Sequence, residues 1–134
     1  MNNTPSEKTY EHVKTVAEAL KEKKGEDVRV LDIHDISSVA DYFIIAAGNN
    51  ERQIQTLSDN VEEKLKKEGI EPAGIEGYPQ ASWILLDYTD FVVHIFSKED
   101  RLFYELERIW KDGKEINIES LSNDRTDLTA GPNK

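Results

Sequence analysis

Residues 82–96 read Ser82-Trp83-Ile84-Leu85-Leu86-Asp87-Tyr88-Thr89-Asp90-Phe91-Val92-Val93-His94-Ile95-Phe96. Two short apolar runs, rich in β-branched and aromatic residues, meet at Asp87-Tyr88-Thr89-Asp90. That pattern predicts an antiparallel hairpin inside a sheet, because both runs carry apolar side chains on both faces. By period-two geometry Trp83, Leu85 and Asp87 share one face, and Ser82, Ile84, Leu86 and Tyr88 the other. The first set joins an aromatic, an aliphatic and a terminal acid, a composition suited to a docking hot spot whose acid meets a partner's Arg or Lys. The rival reading packs Trp83 beneath a helix, and spacing alone favours neither.

The flanking chain supplies what such a sheet needs. Ser6 reads as an N-cap, followed by Tyr10, Val13, Val16, Ala17 and Leu20 at helical spacing, with Gly25 as the stop. Val28–Ile33 and Tyr42–Ala47 read as strands, the second apolar on both faces. Gly48-Asn49-Asn50 leads into a helix over Glu51–Glu68, with an apolar stripe of Ile54, Leu57, Val61 and Leu65 and a stop at Gly69. Pro72 and Pro79 limit Glu71–Pro79 to a loop or short edge strand. After the hairpin, Ser97-Lys98-Glu99-Asp100 opens a third helix, with Leu102, Phe103, Leu106, Ile109 and Trp110 on one side and Gly113 as its end. The expectation is one α/β domain over residues 1–113, a small mixed sheet packed with about three helices. Residues 114–134 are polar and acidic and read as a disordered or loosely docked tail. Three helices cover one sheet face well and the other poorly, which marks the second as a surface for a partner.

Composition narrows the function. The chain has 134 residues, no cysteine and a formal net charge of -10. Thiolate chemistry and disulfides are excluded, and the absence of cysteine fits a reducing, cytoplasmic setting. No apolar run approaches the length of a membrane span, and the polar start, Met1 to Lys8, does not read as a signal peptide. The lysines interleave with glutamates, as in Lys64, Lys66 and Lys67 beside Glu62, Glu63 and Glu68. With no basic patch, an acidic domain is repelled by nucleic-acid phosphates and favours a basic protein.

Catalytic readings find little support. The turn at Gly48-Asn49 before a helix is compatible with phosphate binding, but Glu51 in the first helical turn would repel an anion, so it reads as ordinary capping. No clustered carboxylates stand near it to hold a metal. Asp32 and His34 alternate on one strand face without a third ligand at recognisable spacing. His94 reads either as a hydrogen-bonded structural histidine or as an interface residue. No serine has a nucleophile-elbow context. The expectation is a protein that is not an enzyme, with no cofactor and no metal.

A resemblance breaks the tie at Trp83. Asp35-Ile36-Ser37-Ser38-Val39-Ala40-Asp41-Tyr42-Phe43-Ile44-Ile45, then Gly48, Arg52-Gln53, Glu76-Gly77, Trp83 to Tyr88, Asp90, Val93-His94 and Arg101 to Glu107 resemble the ribosomal silencing factor family, also called RsfS or Iojap-like. The likeness runs from about Tyr10 to Trp110, and the tail beyond is expected to have no counterpart. Ala47 stands where the family usually carries Ser or Thr, and Thr89 where Gly is usual in the turn, a position that often needs positive φ. The resemblance implies a nucleotidyltransferase-like fold without the catalytic carboxylates. It also implies binding to a basic protein on the subunit-joining face of the large ribosomal subunit, which blocks the small subunit and represses translation under nutrient limitation. Carried over, Trp83, Leu85 and Asp87 form the interface core, with Asp90, Val93 and His94 as neighbours. Two alternatives stay open: a nucleotide-handling enzyme on the same fold, and a self-associating module whose homodimer hides the face when free.

Overall fold

The computed structural model describes residues 6–99 and 113–116. Its elements are α1 (Glu7–Glu22), β1 (Glu26–Asp32), β2 (Tyr42–Gly48), α2 (Glu51–Lys67), β3 (Gly74–Glu76), β4 (Trp83–Asp87), β5 (Phe91–Ser97) and β6 (Lys114–Ile116). The strands form one sheet in the order β3-β4-β5-β2-β1-β6. It is mixed: β2 and β5 run parallel at its centre, and the other neighbours are antiparallel. The hairpin read from residues 82–96 is β4–β5.

Three helix ends show how local chemistry sets the boundaries. Ser6 accepts the Thr9 N–H at 3.0 Å and caps α1. At both C-termini the chain closes in the same double hydrogen-bond pattern: Gly25 N–H to the Leu20 carbonyl and Lys24 to Lys21 after α1, Ile70 to Leu65 and Gly69 to Lys66 after α2. The left-handed residue is Gly69 in α2, as expected, but Lys24 in α1, with φ 66. Gly25 instead supplies room, since a Cβ there would lie 2.9 Å from the Leu20 carbonyl oxygen.

Both described helices pack on one face of the sheet. The predicted stripes, Val13, Val16, Ala17 and Leu20 from α1 and Ile54, Leu57, Val61 and Leu65 from α2, bury against Val30, Ile44, Ile84, Leu86, Val93 and Ile95. A second, smaller cluster forms on the other face from Leu31, Ile33, Ala40, Ile45, Val92 and Phe96, with Phe43, Trp83 and Leu85 half-buried against it. Polar residues also hold α1 to α2. Glu68 receives His12 Nδ1 at 2.7 Å and the Thr15 hydroxyl, and Asn60 donates to the Ala19 carbonyl at 2.9 Å.

The third helix expected between Ser97 and Gly113 lies outside the described residues, apart from a helical start at Lys98–Glu99. One expectation needs adjustment. The tail was expected to start at residue 114, yet Lys114–Ile116 is strand β6, antiparallel to β1 with Val30 opposite Ile116. A three-residue edge strand with one apolar side chain has too little pattern to stand out in sequence. Residues 117–134 lie outside the described set.

Candidate docking surface

The row Trp83, Leu85, Asp87 lies on the face opposite α1 and α2. What delivers it there is the entry into β4. Gly77 sits at φ 81, and a Cβ on it would lie 2.1 Å from the Trp83 carbonyl oxygen. Only glycine lets the chain double back this tightly. Along β4 the alternation is then strict: Ile84 and Leu86 are fully buried beneath the helices, while Trp83, Leu85 and Asp87 are half-buried on the other side. The register sets Trp83 opposite Phe96, Leu85 opposite His94 and Asp87 opposite Val92. On the outer side β3 contributes Glu76 opposite Leu85 and Gly74 opposite Asp87. An indole, an isobutyl group and two carboxylates thus lie together near the sheet edge.

Behind that row stands an aromatic layer. Trp83 and Phe96 have ring centroids 5.0 Å apart, Phe43 meets His94 edge-on at 4.6 Å, and His94 stacks with Phe96 at 6.1 Å. The indole Nε1–H of Trp83 donates to His94 Nδ1 at 3.1 Å. Because an indole nitrogen only donates, Nδ1 must be the bare nitrogen and the ring proton sits on Nε2. That Nε2 is buried and finds no hydrogen-bond partner among the described residues. Burial pushes the His94 pKa down to about 4, so the ring is neutral at physiological pH. His94 therefore acts through Trp83, fixing the indole's orientation.

The row ends in a carboxylate-rich corner. Asp87 Oδ1 accepts the Thr89 N–H at 2.8 Å, and the Asp90 N–H reaches the Tyr88 carbonyl at 2.8 Å. The result is a three-residue turn centred on Thr89 at φ 75. The positive φ inferred from the usual glycine is thus present, with a β-branched residue bearing it. The loop between β1 and β2 abuts this turn: the Asp41 N–H donates to the Asp90 carbonyl at 2.7 Å. Burial, and then the charge of Asp90, raise the Asp41 pKa. His34 lies between Asp32 at 2.5 Å and Asp35 at 3.2 Å, and its hydrogen bond to Asp32 raises its pKa.

The structure brings Trp83, Leu85, Asp87 and His94 together, with Asp90 exposed at the corner. It removes Val93, which is fully buried under the helices and points away from Trp83. Strand alternation already assigns Val93 to the side opposite His94. Glu76, Phe43 and Phe96 are members that sequence reasoning missed, because only register brings them beside the row. At the Gly48-Asn49-Asn50 turn two N–H groups are taken by side chains: Asn50 accepts from Gln53 N–H at 2.8 Å, and the Gln53 carboxamide accepts from Asn49 N–H at 2.7 Å. Among the described residues no three acidic or histidine side chains are grouped so that they could hold a metal ion, and no helix is long and apolar enough to cross a membrane.

The model of the family described as "Ribosomal silencing factor during starvation", RsfS, matches residues 6–133. The chain belongs to the ribosomal silencing factor family. It is 40% identical over 100 residues to the ribosomal silencing factor RsfS of Bacillus subtilis, covering 75% of this chain and 85% of that protein. A chloroplast Iojap protein of Zea mays is 33% identical over 78% of this chain and 45% of its own length. Among solved structures, a Chromobacterium violaceum protein superposes with a TM-score of 0.75 at 34% identity, over 81% of this chain and 89% of that one. A Bacillus halodurans protein does so at 0.72 and 36% identity, over 81% and 98%. The RsfS match also corrects one expectation: it extends past Trp110 to residue 133, so the segment read as having no counterpart belongs to the family pattern.

Proposed function

We propose that this silencing factor binds a basic protein on the subunit-joining face of the large ribosomal subunit and sterically excludes the small subunit. Translation is thereby repressed under nutrient limitation. The RsfS family match carries the reading. The row Trp83, Leu85, Asp87 is the contact, with Asp90 at its corner and His94 holding the indole from behind. A single domain seated on a joining surface needs no chemistry. The net charge of -10 favours a basic protein over exposed ribosomal RNA and speeds encounter with it. The side-chain cap on the Gln53 N–H and the acid Glu51 in the first turn of α2 support occlusion over nucleotide handling.

The test is a subunit-joining assay. Large subunits are incubated with the protein, small subunits are added, and the mixture is resolved on a gradient. Loss of the joined peak is expected, with the protein comigrating with large subunits. Trp83→Ala should weaken that binding by about 2 kcal/mol, roughly 30-fold, while circular dichroism stays native. Undiminished joining without comigration would overturn the proposal and return the face to self-association, which sedimentation across a dilution series would reveal.

A further inference from the structure

Beyond the β4 row, the corner formed by the β1–β2 loop and the β4–β5 turn has its own chemistry. The loop is closed at its base by Ile33 N–H to the Asp41 carbonyl at 2.8 Å and folded by Ser37 N–H to the Ile33 carbonyl at 2.9 Å. This ordered loop nonetheless presents Ile36, 41% exposed, and Val39, 75% exposed, the exposed large apolar side chains of the described residues. Val39 borders a cleft of about 240 Å³ whose other walls are Ser37, Ser38, Ala40, Asp41, Thr89 and Asp90. No basic side chain lines it. Asp87 stands close by, accepting the Thr89 N–H, and His34, within electrostatic reach of Asp41, is already shared between Asp32 and Asp35.

We propose that this corner cleft is a second contact of the docking surface and takes an arginine or lysine side chain of the basic protein partner, its stem on Val39 and its charged end between Asp41 and Asp90. The inference rests on the docking reading above and adds the partner's chemistry. A long cationic side chain is amphipathic, and an aliphatic wall beside two carboxylates matches both of its parts. An RNA partner fits poorly, since the corner would set aspartates against phosphates. The cleft is continuous with the β4 row through Asp87, whose carboxylate holds the turn that forms one wall.

The experiment measures binding of the full chain to purified large subunits across a salt series. The variants are Asp41→Asn with Asp90→Asn, Val39→Lys, and Trp83→Ala. The Asp41–Asp90 contact is backbone to backbone and Val39 is exposed, so native melting is expected for both corner variants. The double asparagine variant should bind about tenfold more weakly at low salt, with a shallower salt dependence. Val39→Lys should weaken binding similarly, and Trp83→Ala should lower affinity without altering the salt slope. Unchanged binding of both corner variants beside a weakened Trp83→Ala would overturn the corner contact alone. Tighter binding of the asparagine variant would overturn it in favour of facing RNA. Loss in the corner variants with none in Trp83→Ala would keep the corner and overturn the β4 row.

Discussion

The two faces of one sheet differ in kind. The helix-covered face is mainly aliphatic, with Ile44, Ile84, Leu86, Val93 and Ile95 fully buried beside the rings of Tyr42, Tyr88 and Phe91. The opposite face carries Phe43, Trp83, His94 and Phe96 in ring contact, and it includes a neutral histidine whose Nε2 lacks a partner among the described residues. A buried donor without a partner costs roughly 1–3 kcal/mol. Ser58 Oγ in α2 and Tyr88 Oη in the helix-side core are in the same position among the described residues, so the mark of the second face is the indole-to-imidazole hydrogen bond. The difference teaches that the first face holds the fold, while the second also fixes the pose of an indole.

Neighbouring residues of β4 give the sharpest way to break that contrast. Leu86→Ala should destabilise by about 2–5 kcal/mol in urea unfolding, the usual range for a buried leucine. Leu85→Ala, one residue away and half-buried, should cost less than half as much while weakening ribosome binding. Equal losses of stability would erase the distinction between the faces.

Acid should act on the second face. The folded His94 pKa, about 4, lies below the ordinary value of 6.5. As pH falls, the unfolded chain therefore takes its proton first. The stability present above pH 6.5 should decline by roughly 1.4 kcal/mol per pH unit until the folded ring also protonates near 4. His94→Gln should flatten this limb in melts between pH 7 and 4, and an unchanged slope would assign the acid sensitivity elsewhere. The smallest effect belongs to the turn. A threonine at φ 75 is strained, so Thr89→Gly should raise stability by about 1 kcal/mol, read as a shifted urea midpoint.

Much of this was legible because short-range patterns carry it. Hydrophobic periodicity gave α1, α2 and the β4–β5 hairpin, and alternation alone separated Trp83, Leu85 and Asp87 from Ile84 and Leu86. Register was not legible. Phe96 lies opposite Trp83 because the short turn sets the register of the hairpin, and Glu76 opposite Leu85 because β3 aligns with β4 across a loop; hydrophobic patterning of single strands encodes neither pairing. Val93 was grouped with His94 through adjacency in a motif, although neighbours in a strand point to opposite faces. The corner cleft joins two loops brought together by backbone hydrogen bonds, for which side-chain patterns give no signal. Lys24 shows the same limit: the pattern marks Gly25 as the stop, while the left-handed residue is the lysine.

The parallel β2–β5 pair sets an order of events during synthesis. Tyr42 lies opposite Phe91, and α2, β3 and β4 come between them in the chain. A nascent chain can pair β1 with β2 early, but the other edge of β2 waits for β5 to emerge. At about 5–20 residues per second that interval lasts several seconds, with an apolar strand bare on one side. Non-local pairing of this kind also slows refolding. A chain of the ribosomal silencing factor family is thus most vulnerable to misassembly before β5 emerges, while it is still attached to the ribosome that makes it.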